Sequence, residues 1–143
     1  MRKLIIAGVM VLSTAGCTTP AQPGSAGGVT PSIQPEANRQ FDLAVGQEAR
    51  IQGTQVSVRF NSVGEDSRCP SDVQCVWAGN AVVRLSFSSS EGASTEASLN
   101  TTLDPKTIAY GGYIFRLLDL KPAPKSGTRI PAAEYVATLE AVK

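Results

Sequence analysis

The chain has 143 residues, a formal net charge of +1 and no histidine. That length holds one domain behind a leader, and the missing histidine removes the commonest general base, metal ligand and pH switch together. Lysine and arginine are spread rather than clustered, which excludes the concentrated basic face that nucleic-acid binding requires.

Met1-Arg2-Lys3 supplies a positive n-region, and Leu4 to Leu12 forms an apolar run. It is too short to cross ~30 Å of hydrocarbon as a helix and has the length of a signal-peptide core. The run ends in Ser13-Thr14-Ala15-Gly16-Cys17, which resembles a bacterial lipobox. Residues 1–16 therefore read as a lipoprotein signal peptide and Cys17 as the residue that takes a diacylglycerol. The alternative is an ordinary cleaved signal with an incidental cysteine. Three cysteines leave one over after pairing, and lipid on Cys17 frees Cys69 and Cys75 for each other. Thr18 rather than Asp follows the lipid site, so the expected address is the cell envelope, at the periplasmic face of the outer membrane. Acyl chains at ~0.8 kcal/mol per buried CH2 make such an anchor durable.

Residues 17–38 carry Pro20, Pro23, Pro31 and Pro35 among glycines and serines, with no apolar period. They read as the lipidated cysteine and a disordered linker, whose typical reach is ~25 Å for about 20 residues. From residue 39 to 143 the pattern changes to alternation. Phe41, Leu43 and Val45 start it, and Ala49 and Ile51 continue it to a turn at Gly53-Thr54. Val56, Val58 and Phe60 define an inward face, with Gln55, Ser57 and Arg59 outward. Val63 is out of phase, placing a bulge or strand end near Asn61-Ser62.

Ala81, Val83, Leu85 and Phe87 form the cleanest period of two. Thr95 to Thr101 reads as its return strand, and Thr107 to Tyr110 as a short one. Tyr113, Phe115 and Leu117 follow the Gly111-Gly112 turn. Pro122, Pro124, Gly127 and Pro131 mark a loop that no sheet ladder accommodates. Ala132 to Val142 fits a helix or a strand. The strand, with Tyr135, Ala137, Leu139 and Ala141 inward, matches the spacing of the earlier elements. The fold expected for 39–143 is all-β: a single antiparallel sandwich or partly open barrel of about seven strands.

The stretch Glu65 to Asn80 holds two cysteines, the sole tryptophan and a run of charge. In an exported chain Cys69 and Cys75 persist as a disulfide, worth ~2 kcal/mol or less for so short a loop. A redox pair is the alternative, but the spacing is not Cys-x-x-Cys and neither histidine nor lysine lies in the loop. Trp77 is expected to pack over the disulfide, and the alternative is an exposed ring that forms a binding hot spot. Glu65, Asp66 and Asp72 do not follow a calcium-loop spacing, and Arg68 lies among them, so no metal is expected; Asp66 pairs with Arg68 or caps the loop instead. No catalytic set and no cofactor motif is recognisable.

On Asp66-Ser67-Arg68-Cys69-Pro70, Cys75, Trp77-Ala78-Gly79, Gly112-Tyr113 and Glu134-Tyr135-Val136-Ala137, the chain resembles a group of small, largely uncharacterised bacterial lipoproteins. The resemblance implies a β-rich exported domain and brings no established activity. The expected function is a non-enzymatic, membrane-anchored module whose stapled loop, with Asp66, Arg68, Asp72 and Trp77, binds an envelope protein or glycan. The alternative is a protease inhibitor carrying Arg68 or its neighbours on the constrained Cys69–Cys75 loop. A third reading is a hydrolase using carboxylates.

Overall fold

Wherever alternation persists, the chain forms strands. The computed structural model describes residues 32–143; the leader, Cys17 and the linker as far as Pro31 lie outside the described residues. In chain order the strands are β1 (Ser32–Ile33), β2 (Gln40–Ala44), β3 (Glu48–Arg50), β4 (Ser57–Asp66) and β5 (Ala81–Ser88), then β6 (Thr95–Asn100), β7 (Thr107–Tyr110), β8 (Tyr113–Lys121) and β9 (Val136–Val142). They form a five-stranded sheet, β1-β3-β4-β5-β6, and a four-stranded sheet, β2-β9-β8-β7. The sheets are not closed on each other, so the architecture is a sandwich rather than a barrel. All pairings are antiparallel except the short one between β1 and β3.

The inward residues of both sheets form one core. Phe60, Leu85, Phe87 and Leu99 come from the larger sheet, and Leu43, Phe115 and Leu139 from the smaller. Phe87 meets Phe115 across the interior with ring centroids 4.9 Å apart and tilted, the offset geometry aromatic pairs favour. The chain passes between layers at Val45–Gln47. There Val45 N–H donates to the Tyr135 carbonyl of one layer, and Gly46 N–H donates to the Phe60 carbonyl of the other. Gly111 and Gly112 both have positive φ and close the β7–β8 hairpin.

Several expectations need correcting. Residues before 39, read as linker, already belong to the folded part: Ile33 and Ala37 pack on the core, and Pro35 accepts a bond from Gln52 N–H. Two residues of β1 are too few to show a period among prolines. Nine strands stand where about seven were expected. Ser57, read as outward, is buried, because β4 is flanked by Arg50 of β3 and Ser88 of β5 at that level. The irregularity expected at Asn61-Ser62 is a bulge, with the register shifting between Phe60 and Ser62. β4 then continues to Asp66, so that residue closes a strand instead of lying in a loop. The C-terminal segment is a strand over Val136–Val142, preceded by a 3-10 turn at Ala132–Glu134.

The layer assignment has a direct test in urea unfolding. Phe87→Ala, at a fully buried position, should lose ~3–5 kcal/mol. Ile114→Ala, on the half-exposed outer face of β8, should stay within about 0.5 kcal/mol of wild type. Equal losses from both would contradict the assignment.

Candidate functional site

β4 and β5 outrun the sandwich. Beyond Asp66 and Ala81 the two arms stay paired, with Ser67 N–H donating to Asn80 O (2.7 Å) and Cys69 N–H to Ala78 O (3.0 Å). Gly79 lies in the left-handed region, and a Cβ there would fall 1.8 Å from the Ser67 carbonyl oxygen. Only glycine lets the arms approach this closely. Cys69 and Cys75 are joined as a disulfide with Cα atoms 5.9 Å apart, closing the tip.

The base of this extension is held by Arg68. Its Nε donates to Asp66 Oδ1 (2.8 Å) and its Nη2 to Asp66 Oδ2 (2.7 Å), a two-pronged pair. The remaining donors cross to the other sheet, Nη2 reaching Pro122 O at 3.0 Å and Nη1 reaching Leu120 O. Tyr135 Oη donates to Asp66 Oδ2 at 3.0 Å from the approach to β9. Both members of the ion pair are nearly buried, with side chains 13% and 11% exposed. The Asp66–Arg68 pair therefore ties the end of β4 to the end of β8 through the guanidinium and to the lead-in to β9 through the carboxylate.

The charges follow. Burial pushes the Asp66 carboxyl up, but hydrogen bonds from the Arg68 side chain and backbone and from Tyr135, with the guanidinium charge, outweigh it and hold the group below its ordinary value. Burial, then donation to the Asp66 carboxylate and that group's charge, raises the Tyr135 hydroxyl. Asp72 is solvated, and the Ser126 backbone N–H is the main influence holding its carboxyl below the usual range.

Asp72 and Ser71 dock the tip sideways. Asp72 Oδ1 accepts from Ser126 N–H (2.8 Å) and Ser126 Oγ (3.1 Å), and Ser71 N–H donates to Pro124 O (2.8 Å). The Pro-rich loop after β8 thus buttresses one arm. Among the described residues nothing covers the other arm, so the expectation that Trp77 packs over the disulfide is corrected: Trp77 is 81% exposed and Val76 88% exposed. Val76 and Trp77 lie in a bend rather than a strand, and both side chains face water. Val76, Trp77, Ala78 and Gly79 border a shallow groove with Thr102 and Leu103.

The sequence-predicted residues therefore divide. Asp66 and Arg68 turn inward and brace the site; Asp72 anchors it; Trp77 is the one presented. An inhibitor inserting the Arg68 side chain would first have to break the contacts of that buried pair. Sequence reasoning missed Leu103 and the residue that places it. Asn80 Oδ1 accepts from Thr102 N–H (3.1 Å) and Leu103 N–H (3.4 Å), while its Nδ2 donates to Asn100 Oδ1 (2.8 Å). The nearest signal was an amide side chain at the mouth of a hairpin, suited to binding turn backbone. Among the described residues no group of three or more His, Cys, Asp or Glu is placed to hold a metal ion.

Because the Asp66 pKa is depressed on folding, its stabilising contribution is complete above the unfolded value near 3.8 and disappears as pH falls through the lower folded value. In acid titrations of unfolding free energy, wild type should lose stability across that window more steeply than Asp66→Asn; parallel curves would contradict the pairing. At neutral pH Arg68→Ala, which strands a partly buried carboxylate, should cost ~1–3 kcal/mol. Compared with protein-family models, curated proteins and solved structures, the chain shows no match.

Proposed function

We propose that the protein is a lipid-anchored lipoprotein of the bacterial envelope, a non-enzymatic interaction module that presents its stapled loop to another envelope component. The lipobox-like Ser13–Cys17 segment, the odd number of cysteines with Cys69 and Cys75 paired, and the resemblance of the Asp66–Gly79 stretch to small lipoproteins support the anchor. Among the described residues no helix is long and apolar enough to cross a membrane, so they supply no helical span in place of the anchor.

The observation that carries the binding role is the exposure of Val76 and Trp77 on a backbone held from several sides. A large ring left in water has a hydration cost that contact relieves. Here the ring's support is fixed by the disulfide, the Ser67–Asn80 and Cys69–Ala78 ladder, and the Ser71 and Asp72 contacts. Such a tip loses little conformational entropy on binding, the condition under which one aromatic anchor contributes most. Arg68 and Asp66 support the surface without forming it.

Two measurements test this together. Metabolic palmitate label should enter wild type and be lost in Cys17→Ser. A photo-crosslinker at Val76 in living cells should give adducts, to lipid, protein or glycan, that Trp77→Ala removes, while one at exposed Ser98 of β6 should give none. Equal label on Cys17→Ser would end the anchor, and equal adducts from both sites would end the binding surface.

A further inference from the structure

We infer that the component met by the Val76–Trp77 tip is the interfacial layer of the bilayer holding the anchor, so that the module rests on its own membrane, loop downward. This rests on the anchor reading for the tether and on the geometry of the described residues for the tip.

The first observation is chemical. Val73 to Asn80 and Thr101 to Leu103, the two segments that meet at the exposed end, contain no charged side chain. Val73, Val76, Trp77 and Leu103 there account for four of the six large hydrophobic side chains exposed among the described residues. An indole beside aliphatic groups suits the boundary between headgroups and acyl chains, where its ring is desolvated and its N–H stays wet. Lys125 lies near the solvated Asp72 carboxylate on the docked arm, and Asp104 follows Leu103. The side chains presented at the contact are themselves uncharged, so it does not require anionic lipid.

The second observation is directional. β1 runs parallel to β3 and therefore antiparallel to β4, with Ser32 level with Glu48 and Arg59. Traced backward from Ile33 to Ser32, β1 points toward the stapled end, the end that carries the apolar tip. Arg59 pairs with Ser86, and Trp77 lies nine residues before Ser86 along the β5 arm. That is ~30 Å at ~3.3 Å per residue. About 15 residues separate Cys17 from Ser32, and a chain of that length spans at most ~50 Å. The ~30 Å to the tip lies within that limit, so an anchor at Cys17 allows the tip to meet the bilayer.

Trp77 is the only tryptophan and reports on itself. The full acylated protein is reconstituted into phosphatidylethanolamine–phosphatidylglycerol vesicles with or without brominated acyl chains. Flotation reads the anchor, and quenching of tryptophan emission reads the tip. Wild type should float and be quenched by at least about half, because bromine quenches only rings that reach the acyl region. Val76→Asp, at an exposed position that leaves the fold intact, should float equally with its emission red-shifted and unquenched. Wild type that floats without quenching overturns the inference and leaves a protein or glycan as the partner. Flotation of Cys17→Ser equal to wild type would instead contradict the anchor, a separate failure.

Discussion

A buried guanidinium organises the functional end of this molecule. Arg68 binds both oxygens of Asp66 at the end of one sheet and the carbonyls of Leu120 and Pro122 at the end of the other, while Tyr135 supplies a further donor to the same carboxylate. The fork geometry of arginine matters, since an ammonium at that position could not engage the carboxylate side-on and still span to β8. Buried ion pairs add little net stability compared with apolar packing of similar volume. Their distinctive contribution is position, and here the position fixed is that of the β4–β5 extension on the sandwich.

The extension shows how constraint and exposure are combined. Its two arms are drawn together by the close approach at Gly79 and closed by the disulfide. One arm leans on the Pro-rich loop through Ser71 and Asp72. Nothing in the opposite layer covers the other arm among the described residues, so Val76 and Trp77 remain in water. Asn80 then brings Leu103 alongside them from the β6–β7 connection. Polar contacts do the positioning, and the apolar side chains are left exposed.

Much of this was legible in the sequence. Period-two alternation marked β5, β8 and β9 with their inward faces, and the phase slip at Val63 marked the bulge after Phe60. These signals survive because each element buries one face against a whole sheet. β1 escaped because a two-residue strand has no period, and its hold comes from pairing with β3 and the packing of Ile33. The pairing of Asp66 with Arg68 followed from their closeness in sequence. The reach of Arg68 to β8 did not, because which strand ends adjoin is decided by topology. The same limit applied to Trp77: alternation put it on the side of Cys75 but could not say that no layer lies opposite.

Native-state hydrogen exchange on Arg68→Met tests most directly whether the guanidinium, rather than the disulfide, seats the loop. The amides of Ser67, Cys69 and Ser71, bonded to Asn80, Ala78 and Pro124, are the reporters. If the clasp seats the loop, these amides lose protection in Arg68→Met with the disulfide intact, while Val83 and Leu85 in β5 stay protected. Wild-type protection at all three reporters in that variant would contradict it and assign the loop's position to the disulfide alone.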